Sequence, residues 1–204
     1  MTQKIYTIGY SDFPRDEFIK ILKQHGISVL IDVRSSPYSA FHPEYNKEAL
    51  EIELKKNHIY YRNYKKEFGA RQEDMNLYSP EGYLDFEKFA KTEIFQNGIK
   101  KLHNSMEQGY SPVLMCAEKN PIDCHRAILI SRAFQKDGCR VIHILSDKRT
   151  CTQEDISAAL LDKYFPNREQ ISLFGNSTDE SLIEEAYRKR NAEIGYKITE
   201  EGEP

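Results

Sequence analysis

Long apolar runs are missing from this 204-residue sequence. No uninterrupted hydrophobic stretch approaches the roughly 20 residues needed to cross a bilayer, so no membrane partner is expected. An apolar leader is missing too: Met1 is followed by polar Thr2-Gln3-Lys4, and a cytoplasmic location is the expectation. Cysteine is scarce. The four thiols, Cys116, Cys124, Cys139 and Cys151, are expected to be reduced there, so reactivity or metal binding comes before crosslinking. Charge of one sign is also lacking, with a net formal charge of −3. Residues 176–204 hold eight acidic and four basic side chains, a local −4 that leaves +1 for residues 1–175. A near-neutral body with an acidic end neither requires nor excludes nucleic acid. Internal repeats and low-complexity tracts are absent as well.

What is present fits a globular chain: 39% of residues are hydrophobic and 30% charged. At this length folding buries about 70% of the unfolded surface, so no disulfide staple is needed. Short β-prone runs alternate with amphipathic stretches. Strands are expected at residues 4–8, 27–33, 58–62, 112–115 and 140–145, the second and fourth nearly all apolar. Helices are expected at 14–26, at 46–56, at 83–106 with a break at Asn97-Gly98, at 125–136 and at 153–164. This order predicts a three-layer α/β fold: a mostly parallel sheet with helices on both faces. The domain is expected over residues 1–166, with a C-terminal tail over 167–204. Residues 179–190 offer only a thin apolar helical face.

Ligands of such sheets bind beyond the carboxyl ends of the strands. Those ends carry Gly9-Tyr10-Ser11, then Asp32-Val33-Arg34-Ser35, then Cys116-Ala117-Glu118-Lys119, which leads to Cys124-His125-Arg126. Taken singly, Asp and Ser cap helices and arginines pair with carboxylates. Two thiols, two arginines and a histidine together exceed what capping needs. A cysteine in the first turn of a helix has its thiolate stabilised, and the same helix end attracts anions. Cys116 or Cys124 is therefore the candidate nucleophile, Glu118 or His125 the proton carrier, and Asp32 the group that orients Arg34 or His125. Arg34 and Arg126, with Gly9, Tyr10, Ser11, Ser35 and Lys119 around them, are the candidate substrate-binding residues. No cofactor is expected. The alternative is a zinc site of Cys116, Cys124 and His125, although the two cysteines lie further apart than zinc ligands usually do. Cys139 and Cys151 are expected to have no chemical role. Residues 58–71 interleave aromatic with basic side chains, a pattern that suits either nucleic acid or an ordinary strand edge.

Thr7-Ile8-Gly9-Tyr10-Ser11, Ile31-Asp32-Val33-Arg34 with Pro37, Phe68-Gly69, and Met115-Cys116-Ala117-Glu118 with Cys124-His125-Arg126 resemble the family called domain of unknown function 488. The resemblance implies an α/β domain whose active site holds Asp32, Arg34, Cys116, Glu118, Cys124, His125 and Arg126. It brings no reaction with it. Phe68-Gly69-Ala70 departs from the Leu-Gly-Gly of many relatives. In the tail, Gln170-Ile171-Ser172-Leu173-Phe174 resembles the peptide with which bacterial DNA-processing proteins dock on the replication sliding clamp, with Gln170, Leu173 and Phe174 as the anchors. The functional expectation is a thiol-dependent hydrolase or transferase acting on an anionic, phosphate- or nucleotide-containing molecule, with DNA or RNA processing as its setting. The alternatives are a non-catalytic nucleic-acid-associated module recruited by its tail, and a metal-binding structural module.

Overall fold

The near-continuous apolar runs become strands covered on both sides. In the computed structural model, which describes residues 2–168 and 179–198, β1 (Lys4–Gly9), β2 (Val29–Asp32) and β4 (Pro112–Cys116) are buried throughout except at Lys4. With β3 (Tyr60–Asn63), β5 (Arg140–Ile144) and β6 (Thr150–Thr152) they form one sheet in the order β3-β2-β4-β1-β5-β6. All pairs are parallel except β5 with β6. The short β6 is an edge strand that the sequence pattern did not announce.

Helices α1 (Arg15–Gln24) and α2 (Lys47–Lys56) cover one face, packing Phe18, Leu22, Leu50 and Leu54 on Ile8, Leu30 and Met115. The other face carries α3 (Lys65–Phe68), α4 (Phe86–Ala90), α5 (Glu93–Glu107), a π-helical stretch Arg126–Ser131 running into α6 (Arg132–Lys136), α7 (Gln153–Tyr164) and α8 (Asp179–Ile194). Their Phe68, Phe95, Ile128, Phe134, Leu160 and Leu182 pack with Ile5, Ile31 and Leu114. The fold is thus a three-layer α/β sandwich. Neighbouring strands β1 and β4 send their following helices to opposite faces, and Gly9 stands in register with Cys116. A crevice opens where the chain splits this way.

Three local differences from the expected pattern have physical causes. The helix over 83–106 breaks at Lys91-Thr92, where Thr92 caps α5 by accepting from the Phe95 N–H, and not at Asn97-Gly98. Gly98 stays helical, and a Cβ there would lie 2.9 Å from the Phe68 ring: its missing side chain lets α3 approach α5. The helix over 125–136 opens as a wide π turn, a rare form found often at functional sites. Beyond residue 166, α8 buries Leu182, Ala186 and Tyr187 in the same core as α7. Its face looks thin in apolar residues because Arg190 and Asn191 complete it. Asn191 accepts from the Phe86 N–H at 2.9 Å and donates to Leu84 O at 2.8 Å. The docking peptide with Gln170, Leu173 and Phe174 lies outside the described residues. No described helix is long and apolar enough to cross a membrane.

Candidate functional site

At the end of β2, fully buried Asp32 accepts from Arg34 twice, Nε at 2.8 Å and Nη2 at 2.6 Å, and from Tyr61 Oη at 2.8 Å. Arg34 Nη2 also donates to Tyr45 O at 2.9 Å, and its guanidinium lies over the Tyr10 ring at 5.1 Å. Burial works against the charge on Arg34, but the bonds and charge of Asp32 outweigh it, so the guanidinium is held above its ordinary range. Its Nη1 is buried with no partner. That free donor belongs to a residue lining a cleft of about 420 Å³.

The thiols sit across the crevice. Gly9 makes room for the loop after β4, since a Cβ there would fall 1.9 Å from Glu118 O. Arg126, fully buried, latches that loop by donating Nη1 to Glu118 O at 2.6 Å and Nη2 to Lys119 O at 3.1 Å. Cys124 Sγ accepts from the Arg126 backbone N–H at 3.4 Å and lies 3.0 Å from Glu118 Oε2 and 3.8 Å from His125 Nδ1. Cys116 Sγ is 3.9 Å from the same nitrogen. His125 Nε2 is 3.1 Å from Val33 O. A carbonyl only accepts, so Nε2 carries a hydrogen and Nδ1 is turned to both sulfurs.

These contacts separate the two thiols electrically. Burial opposes ionisation of Cys124, but the hydrogen bond from Cys116 and the charges of Arg126 and His125 hold it well below the ordinary thiol range. The hydrogen bond to Cys124, together with burial, pushes Cys116 well up. Burial and then the charge of Cys124 raise Glu118, whose carboxyl is turned onto Cys124 although the residue as a whole is exposed. Burial lowers His125, yet its contacts with Cys124 and the charge of Glu118 more than reverse this. The arrangement favours a thiolate at Cys124 beside His125, with the Glu118 carboxyl in contact.

Of the residues expected at the site, Tyr10, Arg34, Ser35, Cys116, Glu118, Cys124 and His125 line the cleft. Gly9, Ser11, Asp32, Lys119 and Arg126 do not. Asp32 acts through Arg34, and Lys119 pairs with Asp12 at 2.5 Å. Arg126, the expected substrate-binding residue, gives Nη1 and Nη2 to loop carbonyls, while its Nε is buried with no partner. Residues 58–71 split up: Tyr61 and Phe68 are buried, Tyr60 is exposed, and only Ala70 and Arg71 reach the cleft, the Arg71 guanidinium 4.6 Å from the Tyr196 ring centre. Tyr196 and Ile194 also line the cleft and, like Tyr38, escaped the sequence reading. Cys139 and Cys151 lie apart from the cleft, and burial pushes Cys151 up to about 11. A separate, more apolar groove of about 300 Å³ lies between α4, the π turn and α8, where Arg132 and Glu184 pair with each other.

The donor atoms of Cys116, Glu118, Cys124 and His125 all lie within 4.8 Å of one another. Tetrahedral zinc with bonds of about 2.3 Å to sulfur and 2.0 Å to nitrogen has sulfur–nitrogen edges of roughly 3.6 Å. The two sulfur–nitrogen distances come close to that, so this set could hold such an ion. Glu118 would be the fourth ligand missing from the three read in the sequence.

The model of the family described as domain of unknown function DUF488 matches residues 14–133. The chain belongs to this family. The part shared with DUF488 runs from the start of α1 into α6 and so contains Asp32, Arg34 and the whole Cys116–Arg126 segment. Gly9, β1, α7 and α8 fall outside it. No curated protein and no solved structure matches the chain.

Proposed function

We propose that this DUF488 protein is a cysteine-dependent hydrolase or transferase acting on an anionic, phosphate- or nucleotide-containing substrate, with Cys124 as the nucleophile. The supporting observation is the position of Cys124 Sγ in the cleft, in contact with the Arg126 amide, His125 and Glu118, across from the free Nη1 of Arg34. Arg34 Nη1 and the Ser35 hydroxyl receive the anion. The Cys124 thiolate attacks the electrophilic atom, forming a sulfur–substrate bond. The leaving group departs with its bonding pair and takes the proton of Glu118. Glu118, now ionised, then deprotonates the water or acceptor that releases Cys124.

Labelling with iodoacetamide at neutral pH tests the nucleophile: Cys124 should react before Cys139 and Cys151, and equal, slow labelling of all four thiols refutes it. A thermal-shift screen with inorganic phosphate, sulfate and nucleotides tests the anion. A ligand at 100 times its dissociation constant stabilises by roughly 2.7 kcal/mol, and Arg34→Lys should reduce the shift.

The four-donor set supports a second reading, a zinc centre. Elemental analysis of fresh protein decides it: one zinc per chain, lost in Cys124→Ala, favours the metal. The sequence of residues 170–174 supports a DNA-processing setting through a sliding clamp. Capture of the full chain on immobilised clamp, lost in Leu173→Ala/Phe174→Ala, tests that setting.

A further inference from the structure

We infer that Cys116 and Cys124 are a reversible dithiol–disulfide pair, so that the cleft carries a site of oxidation by hydroperoxides. The inference rests on Cys124 as the reactive sulfur of the proposed function and gives Cys116 the part that reaction leaves it without. The two Sγ atoms lie within 4.8 Å of each other, and both residues line the cleft with 3% of Cys116 and 1% of Cys124 exposed. His125 Nδ1 stands almost equally far from each, at 3.8 and 3.9 Å, so one imidazole serves both sulfurs. Neither other thiol competes. Cys139 contacts Gln3 and His103 elsewhere, and Cys151 lies on the edge strand β6.

A disulfide bond is about 2.05 Å long, so the sulfurs must close by up to roughly 2.7 Å. Cys116 is held at the end of β4, where its carbonyl accepts from the Tyr10 N–H at 3.1 Å. Cys124 follows the 3-10 turn Pro121–Asp123, capped by Asn120, and its carbonyl accepts from the Ala127 and Ile128 N–H groups, so the closure falls to side-chain rotation and the loop between the two cysteines. The bridge would close a loop of nine residues, 116 to 124.

The chemistry balances in two steps. The Cys124 thiolate attacks one oxygen of the hydroperoxide, the O–O bond breaks, and the products are Cys124 sulfenic acid and the alkoxide or hydroxide. The Cys116 sulfur then attacks the sulfenic sulfur. The S–O bond breaks, the S–S bond forms, and the hydroxyl leaves with the Cys116 proton as water. Two thiols are oxidised for one peroxide reduced. Any dithiol reductant reverses the change, and while the bridge stands Cys124 is no longer a nucleophile.

The test is hydrogen peroxide on the full chain, followed by iodoacetamide, intact mass and peptide mapping. Wild type should lose about 2 Da and both site thiols, yield a Cys116–Cys124 crosslinked peptide, and revert with dithiothreitol. Cys116→Ser should instead gain about 16 Da at Cys124 as a sulfenic acid that dimedone traps. A dimedone adduct on wild-type Cys124 with no crosslink, or a bridge between two molecules, overturns the pair and leaves the nucleophile standing. Failure of both peroxide and iodoacetamide to touch Cys124 removes the nucleophile and the pair with it.

Discussion

Asp32 and Arg34 are nearly or fully out of solvent, at 0% and 5% exposure, and neither would be tolerable alone. A buried carboxylate that keeps its bidentate partner is offset; one that loses it is left charged in a poor dielectric. Arg34→Ala should therefore destabilise the fold by about 3–5 kcal/mol, read as a lower urea midpoint. Tyr61→Phe takes away one hydrogen bond to the same carboxylate and should cost only about 1–3 kcal/mol. Equal losses would mean that the arginine fork is not what offsets the burial of Asp32. The comparison also separates support from recognition. Asp32 takes the Nε–Nη2 edge of the guanidinium and leaves Nη1 unpaired, so Arg34→Lys keeps a charge but loses the fork that aims it.

Among the elements, α5 offers a substitution whose sign opposes helix propensity. An interior glycine in an exposed helix costs about 1 kcal/mol relative to alanine, so Gly98→Ala would ordinarily stabilise. Here the added methyl meets the Phe68 ring at 2.9 Å and Glu67 Cβ at 2.8 Å. Phe68 is fully buried and edge-on to Phe95, with ring centroids 5.3 Å apart, and has no free direction to retreat. Overpacking of this kind costs about 1–3 kcal/mol, so Gly98→Ala should lower the thermal midpoint, and an unchanged or raised midpoint would contradict the packing. The same glycine shows where the sequence is readable. β2 and β4 could be recognised because burial on both faces leaves an unbroken apolar run, and their ends deliver Asp32 and Cys116 without further information. Gly98 reads as a helix breaker because nothing local announces Phe68, 30 positions earlier. Tyr196 and Arg71 fail for a similar reason: the cleft rim exists only once α8 is seated. A scan for apolar spacing passes over α8, since Asn191 and Arg190 satisfy buried carbonyls in place of hydrocarbon.

Across the whole molecule, one buried polar chain joins both ends of the sequence to the site. His143 on β5 bonds Thr7 Oγ1 of β1 through Nδ1 at 2.8 Å and Gln153 Oε1 of α7 through Nε2 at 2.7 Å. Gln153 Nε2 donates to Ala127 O in the π turn at 2.9 Å and to Tyr187 Oη of α8 at 2.8 Å. Removal of α8 would thus leave polar groups beneath the reactive loop without partners, which places α8 in the same cooperative unit as the site. Titration reads out this coupling. Gln153 Oε1 only accepts, so Nε2 of His143 carries a hydrogen. Burial presses its pKa down to about 4, against the raising effect of Gln153. The unfolded chain, with a histidine near 6.5, binds more protons than the native state between those values. Stability contributed by the neutral ring is therefore complete above about pH 6.5 and is lost as the pH falls towards 4, by up to about 3 kcal/mol. Urea midpoints at pH 7 and pH 4.5 for wild type and His143→Gln check the sign. The variant should be less stable at pH 7 and lose less on acidification, and because the remaining carboxyls and histidines are common to both chains, the difference between the two slopes belongs to His143. Parallel slopes would mean that the ring takes up its proton as readily inside the fold as outside it.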